Sequence, residues 1–341
     1  MTYQEPIDPA AAGFRRDLAE RIDRAALGEA RGLHGVVASR GGRIFLERYY
    51  VAEDQRWGVP LGRVAFGPAV IHDMRSVSKS VVSLLYGILL EEGLVPPVGD
   101  SLLAHYTGYP DLAADPRRKA LTIEHALTMT LGLEWNETLP YSDPRNGEIA
   151  MERAPDRYRY VLERPIVAAP GTRWCYSGGA TTLIAHLVTR GSGLGLLETA
   201  RSRLLGPLGI TAADWVAGSN GEAAGASGLR LLPRDLLKIG EMILGEGSWQ
   251  GRRIVPPDWL RQSLKPRAQT GDGLEYGYQW WMGRLQRARL PWYAAFGNGG
   301  QRLTVVPGLD LAVAVTAGRY NEMDAWKVPV SVMSEIIGAL A

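Results

Sequence analysis

Apolar positions recur with different periods along the chain, and the changes of period mark its elements. Phe14, Leu18, Ile22 and Ala25/Ala26 repeat at three-to-four spacing, which predicts a helix over about 10–30. Residues 36–38 and 43–49 are β-branched or aromatic runs around Gly41-Gly42, a hairpin turn signal. Residues 52–70 read as loop. From Ser76 onward, Val81, Leu84, Leu85, Ile88 and Leu89 follow a helical stripe, with Ser76, Lys79, Ser80 and Ser83 opposite. That helix should stop near Gly93, and Pro96-Pro97 forbids its continuation.

The middle of the chain, about 98–225, shows no strand pattern. Short helical stretches at 123–129, 158–163, 180–189 and 195–205 are separated by glycine and proline joints. A further helix starts near Pro233. The last third turns to β: 276–282, 292–296, 303–306 and 311–316 read as short strands, Pro307-Gly308 as a turn, and 328–340 as a closing helix. Strands at both ends and helices between predict an α+β fold. Its antiparallel sheet is assembled from both termini and flanked by helices, with a mostly helical insertion. The expected division is a discontinuous sandwich of 1–95 and 226–341 and a helical domain of 96–225, with the site at their interface.

Composition narrows the class. With 341 residues, 46% hydrophobic and 22% charged, the chain can bury a full core, and its net charge is only +2. Arginines are scattered among acids, which argues against a nucleic-acid partner. No apolar run approaches the ~20 residues of a membrane span. The start, from Met1 to Asp8, lacks the basic and apolar regions of a leader, so a cytoplasmic protein is expected. Cys175 is the single cysteine, and the expectation for it is a small buried residue.

Candidate chemistry begins with charge economy. Of 38 lysines and arginines only five are lysines, at 79, 119, 238, 265 and 327. One of them sits in the most apolar helix, three residues after Ser76. Residues i and i+3 share a helix face, so the ammonium lies beside the serine hydroxyl. Ser76 at the helix start also meets free N–H groups and the positive dipole end, which favour an oxyanion. A serine needs an adjacent base, and a buried lysine whose pKa falls toward neutrality can supply one. Two loops add to this. Pro170 to Gly179 presents Tyr176, which can shuttle a proton. Phe296 to Gln301 carries glycines that let a ligand approach a strand edge.

Taken together, Ser76/Lys79, Tyr176 and Asn298-Gly299-Gly300 resemble the serine β-lactamase-like superfamily, in its class C β-lactamase, esterase and 6-aminohexanoate-dimer hydrolase-like branch. The segments 127–133, 228–236 and 305–310 extend the likeness over about 30–335. The resemblance implies a β-lactamase/transpeptidase-like fold. It also implies an acylated nucleophile at Ser76, a base partner at Lys79 and a proton relay at Tyr176. The backbone N–H groups of Ser76 and Gln301 would form the oxyanion hole. Asn298, Gly299, Gly300, Gly178, Trp135 and Tyr141 would face substrate, and Trp280, Trp281 and Trp292 are further aromatic candidates. Two positions depart from the pattern: Gly178 replaces the asparagine of Tyr-x-Asn, and Asn298 replaces the lysine of Lys-Thr-Gly.

The expected function is therefore a serine hydrolase that acts through an acyl-enzyme on a small ester or linear amide. Alternatives are a β-lactamase or D-amino-acid peptidase, or a non-catalytic ligand-binding member of the fold. No Gly-x-Ser-x-Gly elbow occurs. The histidines at 34, 72, 105, 125 and 186 show no metal-ligand spacing, so neither metal nor cofactor is expected. The expected partner is a small molecule, with the oligomeric state open.

Overall fold

Eight antiparallel strands drawn from both ends of the chain form the central sheet of the computed structural model, which describes residues 5–286 and 289–341. Met1 to Gln4, part of the stretch judged above for leader features, lie outside the described residues. From one edge the order is Ala268–Gln269, Glu275–Tyr276, Trp281–Arg284, Pro291–Gly297, Gln301–Val306, Leu311–Ala317, Leu33–Arg40 and Arg43–Tyr49. The first and last long strands are thus neighbours, with Val36 opposite Val315 and Ala38 opposite Val313. The fold is α+β, as the patterning predicts.

Alternation along the strands sorts side chains to two buried faces. Val36, Ala38, Val313 and Val315 pack under the terminal helices Leu18–Leu27 and Lys327–Gly338, against Leu18, Ile22, Val328, Val332 and Ile336. Val37, Ala312, Ala314, Leu303 and Val305 join Leu236, Leu237 and Ile239 of the Pro233–Leu244 helix. The same apolar core continues into Leu84 and Leu85 of the Val77–Glu91 helix and Leu183 and Ile184 of the Gly178–Ser192 helix. Every residue from Val77 to Leu89 is buried. The expected polar side of this helix therefore packs too, and Ser80 Oγ donates to the Gln279 carbonyl at 2.6 Å. Truncating Leu84 or Leu85 to alanine would cost about 2–5 kcal/mol.

Three segments differ from the reading of the sequence. Residues expected as loop at 52–70 contain a hairpin, Val51–Arg56 paired with Val59–Ala65. Its strands are largely exposed, so no alternation of buried and polar positions marks them; the turn is Trp57-Gly58, both at positive φ. The single strand expected over 276–282 is two paired strands, with Gln279 at φ 66° in the tight connection. The middle segment holds one strand after all. Ala213–Trp215 pairs with Leu229–Leu231, which in turn pairs with His72–Asp73 just before Ser76.

Candidate active site

Ser76 caps the Val77–Glu91 helix at its N-terminus. The residue before it, Arg75, has φ 50°, a left-handed conformation that costs a side-chain-bearing residue about 1–3 kcal/mol. Its guanidinium is held by Asp73 at 3.3 Å and lies over the Tyr320 ring. The strand His72–Asp73, this bend and the helix together fix the position of Ser76. Ser76 is 7% exposed, so little of its hydroxyl is open to an incoming molecule.

Lys79 is 1% exposed. Its Nζ donates to Ser76 Oγ at 3.0 Å and to the Ala226 carbonyl at 3.0 Å. It also lies 4.9 Å from the centre of the Tyr176 ring. The Tyr176 phenol faces both Ser76 and Lys79, and each of them lowers its proton affinity. Serine, lysine and tyrosine, brought from a helix start and a distant loop, thus converge on one place.

Two acids complete the arrangement, and neither was singled out in the sequence. Glu148 Oε2, buried, lies 3.5 Å from Lys79 Nζ. Glu137 Oε1 accepts from Trp135 Nε1 at 2.6 Å and from the Gly178 N–H, and its Oε2 accepts from Tyr141 at 3.2 Å. Glu148 starts a short helix, Gly147–Arg153, whose cap is Asn146. A Cβ on Gly178 would meet Glu148 Oε2 at 2.6 Å and Glu137 Oε1 at 3.0 Å. The carboxylates fill the space that a side chain at 178 would need, which accounts for glycine there.

These acids reverse an expectation. Burial alone would pull the lysine down toward neutrality. The Tyr176 phenolate, wherever it forms, and the Glu148 and Glu137 carboxylates outweigh it, and the Lys79 ammonium is held above the ordinary lysine value. Burial raises the Tyr176 phenol, and Glu137 adds to this while Lys79 opposes it. Burial and the nearby Glu148 push Glu137 up to about 7. The resting pair is therefore an ammonium and a neutral phenol.

The glycine loop closes the other side. A Cβ on Gly297 would meet the Met74 carbonyl at 2.4 Å, so this loop presses directly on the bend before Ser76. Gly299 and Gly300 have φ of 92° and 97°, which only glycine adopts readily. The Gln301 side chain is tied to the next strand through both its amide atoms, bonding to the Ala317 N–H and carbonyl. Asn298 is paired with Asn321 through two hydrogen bonds.

The aromatic candidates divide. Tyr176 packs with Trp281 at 5.8 Å and Trp174 at 6.1 Å, and Trp281 stacks on Phe296 at 4.9 Å. Trp280 is a fully buried core residue, Trp292 packs beyond Phe296, and Trp135 and Tyr141 serve Glu137. Cys175, half-buried, donates weakly to the Trp135 carbonyl.

A family model described as Beta-lactamase matches residues 19–327. The chain belongs to that family. It is 25% identical over 337 residues to the 6-aminohexanoate-dimer hydrolase of Paenarthrobacter ureafaciens, covering 92% of this chain and 80% of that one. Among solved structures it resembles EstCE1, a hydrolase with promiscuous acyltransferase activity, at TM-score 0.72 and 16% identity, over 95% of this chain and 99% of that one. It also resembles the octameric penicillin-binding protein homologue from Pyrococcus abyssi, at TM-score 0.69 and 17% identity, over 94% and 77% of the two chains. The protein is accordingly a serine hydrolase of the β-lactamase/transpeptidase-like fold. None of its described helices is long and apolar enough to cross a membrane.

Proposed function

We propose that the protein hydrolyses a small ester or linear amide through an acyl-enzyme on Ser76. The observation that carries this is the convergence of Ser76, Lys79 and Tyr176, with Lys79 Nζ 3.0 Å from Ser76 Oγ and 4.9 Å from the centre of the Tyr176 ring. Ser76 Oγ attacks the substrate carbonyl and its proton passes to Tyr176. The acceptor is the Tyr176 phenolate, formed beforehand by loss of the phenol's own proton and compensated by the Lys79 ammonium. The tetrahedral oxyanion rests against the N–H groups of Ser76 and Gln301. Tyr176 then protonates the departing alcohol or amine, and water releases the acid by the same steps in reverse.

Because the resting pair is ammonium and phenol, the competent form carries one proton fewer, and kcat/KM climbs with pH above neutrality. A linear amide or ester fits better than a β-lactam because no cation stands at 298 to attract a β-lactam carboxylate. The names of the relatives, a linear-amide hydrolase and an acyl-transferring hydrolase, point the same way. The test is a panel of p-nitrophenyl esters and short amides with intact-mass detection of the acyl adduct. The wild type should gain one acyl group and Ser76→Ala none. A wild type that forms no adduct and turns nothing over would leave a ligand-binding role on the same fold.

A further inference from the structure

Three residues from distant parts of the sequence meet beside the nucleophile bend. His34 lies on the Leu33–Arg40 strand, Asp54 on the exposed hairpin and His72 on the short strand that leads to Ser76. They are 1%, 7% and 0% exposed. His34 Nδ1 and His72 Nε2 are 2.9 Å apart, and Asp54 Oδ1 lies 3.9 Å from the first and 3.8 Å from the second. A point equidistant from three such atoms is about 2.1 Å from each, the length of a Zn–N or Zn–O bond.

Proton placement sharpens this. His72 Nδ1–H donates to the Asp73 carbonyl at 2.9 Å, which leaves Nε2 as a bare lone pair. His34 is bonded to the Glu53 backbone. Its Nε2 is the nitrogen on that side: a Cβ on Gly318 would meet this Nε2 at 2.2 Å and the Glu53 carbonyl at 3.0 Å. With that N–H committed, Nδ1 of His34 is bare as well. In that tautomer two lone pairs and a carboxylate oxygen converge on one point, where a cation would bind all three; without a cation, His34 Nδ1–H donates to His72 Nε2 at 2.9 Å. A backbone carbonyl behind each imidazole is also how ligating histidines are oriented. Tyr320 donates to the same Asp54 oxygen at 3.0 Å and orients the third donor.

We propose that His34, Asp54 and His72 bind a divalent transition-metal ion, best matched by zinc. Two imidazoles with one carboxylate suit zinc rather than the oxygen-seeking calcium or magnesium. Phe66 stacks on His34 at 4.1 Å and seals the site, and the fourth position falls to water or the Tyr320 hydroxyl. The role is structural. The ion fastens the exposed hairpin and the first strand to the segment entering Ser76, and Tyr320 extends the site to the glycine loop, its ring 2.7 Å from where a Cβ on Gly299 would stand. Sequence spacing hides it, because its ligands are 18 to 20 residues apart on three separate strands.

The experiment is metal analysis of the full chain after incubation with zinc and desalting, alongside thermal melts and cobalt reconstitution. Wild type should hold about one zinc per chain and melt at least about 5 °C higher than chelator-treated protein. With cobalt it should show the visible absorption of a tetrahedral site. His34→Gln and Asp54→Asn should lose the metal, the melting shift and the cobalt band. Less than about a tenth of a zinc per chain in folded wild type, an unchanged melting temperature, or full zinc retention by folded His34→Gln would overturn the proposal. None of these readouts depends on the reaction proposed for Ser76.

Discussion

The Lys79 side chain carries two opposing influences, and their balance can be measured. Glu148, 3.5 Å from the ammonium, favours its protonated form and disfavours a charged Tyr176. Removing that charge lowers both groups, so Glu148→Gln should move the rising limb of the kcat/KM profile to lower pH by about one unit or more. An unmoved limb would show that the pair is not what the profile reports. Tyr176→Phe should slow amide turnover on the order of 10²–10⁴-fold and activated esters much less, since p-nitrophenolate leaves without a proton. A comparison of the two substrate classes checks this; equal losses would remove the relay from Tyr176. At this scale Ser76 and Lys79 were legible because a rare lysine in an apolar helix contradicts the chain's habits, and Tyr176 through its glycine-rich loop and the family resemblance. Glu137 and Glu148 were not. Among 36 acidic residues nothing in their spacing marks them, and their burial arises only when distant loops fold over Lys79.

Glycines decide how closely the elements carrying these residues approach. Gly178 opens the helix that follows Tyr176 and leaves room for both carboxylates. Gly178→Asn restores the family's asparagine yet collides with Glu148, so it should destabilise the protein by about 1–3 kcal/mol. Combining it with Glu148→Gly should recover part of that loss, a coupling that a double-mutant cycle of denaturation free energies would measure. Long elements with an apolar period, such as the Val77–Glu91 helix and the Leu311–Ala317 strand, were readable. The Val51–Ala65 hairpin was not, because two exposed strands bury no face and therefore impose no alternation. The break within 276–282 was hidden for the opposite reason. Tyr276, Tyr278 and Trp280 are all buried, and their alternation with Gly277 and Gln279 reads as one strand and conceals a turn.

Across the whole molecule, burial of charge makes stability depend on pH. Glu137, pushed up to about 7 from an ordinary value near 4.5, holds its proton more tightly when folded than when unfolded. The resulting penalty is absent below about 4.5, grows as pH rises toward 7 and is complete above it. Wild type should therefore lose on the order of 1–3 kcal/mol relative to Glu137→Gln between pH 5 and pH 8, measured by urea denaturation. The placement of the first long strand beside the last has a further consequence, one of timing. During synthesis the Val77–Glu91 helix emerges early, yet the middle of the sheet cannot pair until residues 311–317 have left the ribosome. An apolar helix buried on every side in the finished protein must wait for more than two hundred residues before its surroundings exist. Such long-range closure makes folding slow and leaves the nascent chain prone to aggregate. Yield in a heterologous host should accordingly rise with slower synthesis or added chaperone more than with any single stabilising substitution.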